Sequence, residues 1–362
     1  MAPSTPGSPS QGRPTIRDVA DRAGVSKSLV SLVLQSSGNV SEGRRRAVLE
    51  AMEELGYRPN RIAQRLSSPR SGTVGVLLND LRNPWFVELL EGLSASLQAA
   101  GISPVLADSY TDHRVGRRSV ETLLEQRVDG LVIVGTTTEG PAIAAAASTV
   151  PVVLAGTLDP DLPVVDVVIN DDEAGARQAT EHLLSLGHTR IAHMQGPDGI
   201  GRLRRSGYEH AMKAAGLEPW VVSGGMSEES GYAAGQRLLS SGDRPTAIIA
   251  FNDIACIGAL SAADDAGLKV PDDVSLVGYD NTYLARIRHL SLTSVDNGNL
   301  AVGVQAGKFL LERLATPDLP KRMHLVSSDL QVRGSTGRPP SSRRYPATGR
   351  PDAGARSPGR GA

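Results

Sequence analysis

Residues Thr15 to Leu34 read TIRDVADRAGVSKSLVSLVL, and their pattern predicts two short helices joined by a tight turn. Thr15 followed by Asp18 fits a capping box: the Thr15 hydroxyl accepts from the Asp18 amide, and the Asp18 carboxylate reaches back. Ile16, Val19, Ala20 and Ala23 then fall on one face at helical spacing. Gly24 ends the first helix, because a residue without Cβ takes the left-handed conformation at little cost. Ser26 suits the N-cap of the second helix, whose Leu29, Val30 and Val33 turn inward. Lys27, Ser28, Ser31 and Leu32 are left facing outward. Two helices across a Gly-containing turn make a helix-turn-helix, a motif whose second helix enters a DNA major groove.

A third helix is expected from Ser41 to Leu55, with Ser41 as its N-cap and Gly56 as its stop. Its Ala47, Val48, Ala51, Met52 and Leu55 close a small apolar core, which completes an all-α head over residues 14–58. Residues 59–71 follow as a linker or a two-turn helix that is marginal alone in water. Residues 1–13 and 337–362 are rich in Pro, Ser and Gly and read as disordered tails, the second one basic.

From Thr73 the pattern changes. Short apolar runs read as buried strands: Val74–Leu78, Val105–Ala107, Leu131–Val134, Val152–Ala155, Val165–Ile169, Ile191–Met194, Ala247–Phe251 and Val274–Val277. Longer helical patterns separate them. Such alternation predicts an α/β core of parallel sheets with helices on both faces. A core spanning residues 72–336 exceeds what one such sheet holds, so two lobes are expected.

The formal net charge of −1 hides an asymmetry. Residues 13–70 hold eleven Lys/Arg against six Asp/Glu, and residues 338–362 six Arg against one Asp, so the body between them is acidic. A basic head on an acidic body points to nucleic-acid contact by the head alone. The single cysteine, Cys256, lies in an apolar helical pattern and fits a reducing compartment. The first residues, MAPSTPGSPSQG, lack the features of a signal peptide, and no apolar run approaches membrane-spanning length. A soluble cytoplasmic protein is expected.

Thr15-Ile16-Arg17-Asp18-Val19-Ala20, then Ala23-Gly24-Val25-Ser26, resembles the opening signature of the lac repressor (LacI) family. Leu55-Gly56-Tyr57-Arg58-Pro59-Asn60 resembles that family's junction into its hinge. The resemblance runs to about Thr336. It implies a transcriptional regulator, most often a repressor, with a periplasmic-binding-protein-like sensor core. Its implied partners are operator DNA, a small effector held between the lobes, and a second copy of the chain, with dimers able to pair into tetramers. It further implies a hinge helix that orders in the minor groove, with Asn60 and Ala63 at the DNA and Leu66 wedged between base steps. Three crossings between lobes would put 72–168 and 297–323 in lobe one, and 169–296 and 324–336 in lobe two.

Candidate DNA contacts are Thr15, Arg17, Ser26, Lys27, Ser28, Ser31 and Leu32 together with those three hinge residues. Lys27 and Ser28 are the best base readers, whereas Arg17 and Ser31 suit phosphate. The family often carries an arginine where Leu32 stands. Arginine forks onto guanine, and leucine offers only apolar contact, as to a thymine methyl.

In open parallel sheets ligands sit beyond the carboxyl ends of the strands. Candidate effector residues there are Trp85, Phe86, Thr136, Arg204, Met226, Asn252 and Asp280. Arg204, Asn252 and Asp280 stand in runs resembling family motifs, R-x-x-G-[FY], A-x-N-D and G-[YF]-D. Simpler roles stay open: Asn252 as a helix cap, Trp85 and Phe86 as core, Arg204 as an ion-pair partner. Carboxylate, amide and arginine together satisfy hydroxyls that both donate and accept, so a sugar is the expected effector. A nucleobase or a phosphorylated metabolite is the alternative. Two departures bear on the pose. Gly156 stands where many members have an aspartate, and Met226 where several have a stacking aromatic.

No P-loop, G-x-S-x-G or H-E-x-x-H occurs, and His182, His188 and His193 have no zinc-site spacing. No enzyme, metal or cofactor is expected. The rival reading is a solute-binding protein of the periplasmic type without a DNA role.

Overall fold

Thr15 opens the first helix as its sequence requires. In this computed structural model its amide donates to Asp18 Oδ2 at 2.7 Å, and its hydroxyl oxygen caps the Asp18 amide. Helix α1 (Ile16–Ala23) ends at Gly24, which takes φ 65°, and the Val25 amide closes the turn on the Ala20 carbonyl at 3.0 Å. Helix α2 (Lys27–Leu34) and helix α3 (Glu42–Glu54) complete the head. Val19, Ala20, Val30, Val33, Val48 and Ala51 fill its core. Ser41 holds the N-cap position of α3 without a side-chain cap bond. The structure describes residues 14–34, 40–57, 70–240 and 242–340, and the head and the core are separate units divided between Ser71 and Gly72. The expected disordered stretch 1–13, the hinge residues Asn60, Ala63 and Leu66, and the tail beyond residue 340 lie outside the described residues.

The core holds two six-stranded sheets. The first has the order β11-β5-β4-β3-β1-β2, all parallel, from β1 (Thr73–Leu78), β2 (Ser103–Asp108), β3 (Leu131–Val134), β4 (Val152–Ala155), β5 (Asp166–Asn170) and β11 (Met323–Val326). The second has the order β12-β10-β9-β8-β6-β7. It contains β6 (Ile191–Gln195), β7 (Trp220–Ser223), β8 (Ala247–Ile249), β9 (Ser275–Tyr279), β10 (Thr293–Asp296) and an antiparallel edge strand β12 (Asp329–Gln331). In lobe one, helices α4 (Trp85–Ala99), α5 (Ser109–Arg114), α6 (Ser119–Glu125) and α7 (Gly140–Ala146) flank the first sheet. Helices α8 (Asp172–Ser185), α9 (Asp198–Ala214), α10 (Glu228–Leu239) and α11 (Asp253–Asp265) flank the second. Helix α12 (Asn299–Ala315) returns to lobe one and crosses α4 at backbone contact: a Cβ at Gly303 would lie 1.9 Å from the Leu89 carbonyl oxygen.

The chain therefore passes between lobes after Asn170, after Asp296 and after Val326. Two expected boundaries shift. Ile169 and Asn170 stay in the first sheet, and so do His324, Leu325 and Val326, which pair with Val168, Ile169 and Asn170. The expected tail also starts too early. The Gly337 carbonyl accepts from His188 Nε2 at 2.9 Å and from Ser275 Oγ at 3.3 Å, which binds this segment to lobe two. The crossings are fastened to one another. Asn170 Nδ2 donates to the Asn297 carbonyl, the Asp171 amide to Val326 O at 2.8 Å, and Ser328 Oγ to Asp171 O at 3.0 Å. An exposed ion pair, Glu88 to Arg286, spans the lobes as well.

Both halves bury layered apolar cores, and lobe two also buries an imidazole. His193 on β6 is 1% exposed, neither ring nitrogen has a hydrogen-bond partner, and the ring stacks on Tyr208 at 5.2 Å. Burial pushes its pKa down to about 3 from 6.5. Below the ordinary value the unfolded chain binds a proton that the folded ring refuses, so this site removes stability as pH falls from 6.5 towards 3. The slope is about 1.4 kcal/mol per pH unit. His193→Phe keeps a stacked ring and removes the proton site. Its stability relative to the parent should rise by about 1–2 kcal/mol between neutral pH and roughly pH 5, read by urea unfolding at both values. An unchanged difference would show that the buried ring is not the titrating group.

Candidate effector cleft and DNA-reading surface

On the head, Thr15, Arg17, Ser26, Lys27, Ser28 and Leu32 are exposed and Ser31 is half-buried. Lys27, Ser28, Ser31 and Leu32 share the outward face of α2, opposite Val30 and Val33. The Thr15 hydroxyl is occupied with its cap, and Ser26 Oγ accepts from the Leu29 amide at 3.2 Å. These two therefore act first on helix geometry, whereas Lys27, Ser28 and Leu32 project free of the head's own core.

In the core, the carboxyl ends of β1, β6 and β7 face a cleft of about 1070 Å³. Lobe one contributes Asn79, Asp80, Arg82, Asn83 and Tyr110. Lobe two contributes Gln195–Pro197, Arg205, Val221–Ser223, Gly225–Ser230 and Ile254. Of the seven residues predicted from sequence, only Met226 lines this cleft. The structure places the other six in two groups.

The first group is a buried polar cluster in lobe two. Arg204 on α9 donates from Nε to Asp172 Oδ1 at 2.7 Å, from Nη1 to the Phe251 carbonyl at 2.5 Å, and from Nη2 to Asp280 Oδ1 at 3.4 Å. Its guanidinium lies 3.6 Å from the Tyr279 ring centroid and 4.5 Å from that of Phe251. Asp280 and Asn281 both hold left-handed backbone, φ 91° and 45°, in the turn after β9. That turn is pinned from two sides. Asp253 accepts from the Thr282 amide at 2.7 Å, from Thr282 Oγ1 and from Ser294 Oγ. Asn297 Nδ2 donates to Asp280 Oδ1 at 3.0 Å, and Asn299 Nδ2 to the Asp280 carbonyl at 3.0 Å. Left-handed non-glycine residues cost free energy and persist only where surroundings over-determine them, as here.

Burial dominates the electrostatics of this cluster. It pushes the Asp280 carboxyl up to about 6 despite Arg204 beside it. Burial, with Asp280 nearby, pushes Asp253 up to about 7. Asp172 is raised by burial too, although Arg204 pulls the other way. Burial works against the Arg204 charge, but Asp172 and Asp280 more than offset it and keep the guanidinium protonated. Three acceptors in the cluster have no hydrogen-bond partner: Asp172 Oδ2, Asn297 Oδ1 and Asn299 Oδ1. Asn252 is engaged as a helix cap, since its Oδ1 accepts from the Ala255 amide at 2.8 Å. Its Nδ2 donates to the Met226 carbonyl at 3.1 Å, which fixes one edge of the cleft.

The second group lies in lobe one. Trp85 and Phe86 open α4, both buried, with rings edge-to-face at 5.0 Å. Thr136 is half-buried just past β3. Trp85 accounts for the glycine at position 156. A Cβ on Gly156 would stand 2.4 Å from Cη2 and 2.8 Å from Cζ2 of the indole, closer than any real contact. The indole thus occupies the room that a side chain at 156 would need, and its Nε1 has no partner.

Sequence reasoning missed Asp172, Asn297 and Asn299, which complete the Arg204–Asp280 cluster, and the cleft residues Arg82, Tyr110, Gln195 and Ser223. Asp172 follows Asp171, the true N-cap of α8, and reads as a second cap until the fold turns it inward. Among the described residues no group of three or more His, Cys, Asp or Glu is placed to hold a metal ion, and no helix is long and apolar enough to cross a membrane.

A helix-turn-helix head followed by a two-lobed α/β core with a cleft at the strand ends defines a ligand-sensing DNA-binding protein. Residues 15–60 match the family of bacterial regulatory proteins of the lacI type. Residues 71–325 match the family of periplasmic binding proteins and sugar-binding domains of LacI members. The chain is 32% identical over 328 residues to the HTH-type transcriptional repressor PurR of Photobacterium profundum, covering 89% of this chain and 98% of the relative. It is 35% identical over 330 residues to the ribose operon repressor of Escherichia coli, covering 89% and 99%. The lac repressor dimer bound to operator and the anti-inducer ONPF superposes with a TM-score of 0.77 at 30% identity, covering 90% of this chain and all of that one. The chain belongs to the LacI family of transcriptional regulators, with a DNA-binding head and an effector-binding core.

Gly156→Ala should cost about 1–3 kcal/mol, because the indole must move and the left-handed backbone resists a side chain. In a Trp85→Ala background the steric part vanishes. The cost of the same substitution should then fall by about 1 kcal/mol or more in a double-mutant cycle of denaturant unfolding. Additive costs would mean that the indole does not exclude a side chain at 156.

Proposed function

We propose that the chain is a repressor that binds a near-palindromic operator as a homodimer in the cytoplasm, each copy reading one half-site. Lys27 and Ser28 contact base edges at the amino end of α2, Leu32 packs on a thymine methyl, and Arg17, Thr15 and Ser31 face the phosphates. Asn60, Ala63 and Leu66 act in the minor groove as the hinge pairs with its partner's. The effector binds between the lobes, and a sugar or sugar derivative fits best.

The observation that carries the effector reading is the buried cluster of Arg204, Asp280 and Asp172. It offers a charged donor fork beside acceptors with no hydrogen-bond partner, at the carboxyl ends of strands. Hydroxyls that donate to Asp172 Oδ2, Asn297 Oδ1 and Asn299 Oδ1 and accept from Arg204 would satisfy these groups. The same cluster reaches the crossings: Asp280 is held by Asn297, and the Asn297 carbonyl accepts from Asn170. A ligand that redistributes these bonds changes how the lobes are fastened and hence operator affinity, by coupling of about 1–3 kcal/mol. Trp85, Phe86, Thr136, Met226 and Asn252 shape the surrounding walls.

The DNA reading is tested by selection from a randomised duplex library at moderate salt. The protein should recover near-palindromic sites, and its affinity should fall linearly in a plot of log affinity against log salt. Leu32→Arg should change preference at one or two base pairs per half-site, each worth about 1–3 kcal/mol. A uniform shift across all sequences would contradict base contact by residue 32.

A further inference from the structure

One edge of the first sheet is β11, which pairs only with β5. In a parallel ladder the backbone groups of alternate residues point to opposite sides of the strand. On the inner side the Val167 amide donates to the Arg322 carbonyl at 2.9 Å, and the Asp171 amide to the Val326 carbonyl at 2.8 Å. The amides and carbonyls of Met323 and Leu325 therefore point out of the sheet, and no group among the described residues pairs with them.

Open sheet edges are commonly guarded by charge, lysine above all. The two cations that lead into β11 are drawn away from its edge. Lys321 is 2.6 Å from Asp161, and Arg322 is held by Asp166 at 2.8 Å and by Glu312. Apolar side chains are left on the edge. Met323 and Leu325 are 59% and 55% exposed and share one face of the strand. His324 turns to the other face, where its ring meets that of Phe309 edge-to-face at 6.4 Å.

We propose that this edge pairs antiparallel with the same edge of a second copy of the chain, about a two-fold axis at His324. The strand is complementary to itself in that register. With His324 opposite its own equivalent, Met323 falls opposite the second copy's Leu325, and Leu325 opposite its Met323. Each such pair of outward-facing residues exchanges two N–H···O=C bonds, so four backbone hydrogen bonds close over three residues of each strand. The same pairs set methionine against leucine twice on one face and remove both from water. An extended segment of another protein would satisfy the backbone, but apolar residues placed symmetrically about a centre are what an isologous contact uses. The contact is additional to the pairing that reads the operator, so operator-reading dimers associate further through it. That last step rests on the dimer reading above.

The test is the mass of the full chain by sedimentation equilibrium from about 1 to 100 μM, with three variants. The parent's mass should rise with concentration beyond that of a dimer. Leu325→Lys puts a guarding charge on the edge and should hold the mass at the dimer, about half the parent's at the upper end. Leu325→Pro removes an outward N–H that β5 does not use, and should do the same without loss of the fold. Directly opposed residues at the axis lie about 4.5 Å apart between Cα atoms, within disulfide reach. His324→Cys should therefore cross-link two chains on mild oxidation, at least tenfold faster than Asp329→Cys on the neighbouring edge strand; the native Cys256 is buried. Affinity for a single operator site should stay within about twofold in the two Leu325 variants. A parent that never exceeds a dimer, a mass that both Leu325 variants leave unchanged, or equal cross-linking of the two cysteine variants would overturn the proposal and give the edge to another partner. Loss of single-site operator affinity in both folded Leu325 variants would overturn it as an additional contact. Cross-linking at His324→Cys in a chain that binds no operator would uphold the edge pairing and overturn the dimer reading instead.

Discussion

A buried guanidinium organises lobe two. Arg204 is 5% exposed, and a charge so placed is tolerable only if every donor finds an acceptor. Asp172, Asp280 and the Phe251 carbonyl accept one hydrogen bond from each of its three nitrogens, from the start of α8, the turn after β9 and the end of the β8 run. Removing Arg204 would leave both carboxylates uncompensated. The elements around the strand ends are thus bound to one another electrostatically as well as by packing. Asp253 and Asn297 extend the arrangement, the first by holding the Thr282 backbone, the second by joining Asp280 to the crossing after β10. Such a network is a costly way to stabilise a fold.

Lobe one has a buried ion pair of its own, Arg313 with Asp166 at 2.7 Å, whereas the start of its α4 is apolar, with Trp85 and Phe86 packed there and the indole seated over Gly156. The indole fills the space that a side chain at position 156 would need.

The head was almost wholly legible in the sequence, because capping boxes, a left-handed glycine and helical apolar spacing are local signals that tertiary contacts do not override. Thr15, Asp18 and Gly24 do in space what their order implies. Eight strands were equally legible as short apolar runs, although one of them, β2, is a half-exposed edge and not a buried strand. The four missed strands were not. β7 is a half-exposed edge, the first three residues of β11 are exposed, β10 reads as the polar run Thr293-Ser294-Val295-Asp296, and β12 has three residues. Arg204 and Asp280 were found from their place after strands and by resemblance, yet their partners were not, since Asp172 and Asn297 meet them only through the fold. The cleft lining was missed for the same reason: Tyr110, Gln195 and Ser223 come from three separate strand ends.

The most direct test of the coupling between cluster and crossings needs no effector. Asn297→Ala removes the amide that joins Asp280 to the crossing after β10 and leaves Arg204, Asp172 and the head unaltered. Operator affinity of the full chain, measured without ligand for this variant and its parent, should differ by at least about fivefold, the lower bound of a coupling of 1–3 kcal/mol. Equal affinities from two well-folded proteins would mean that the cluster and the crossings are not linked, and that the core senses its ligand by another route.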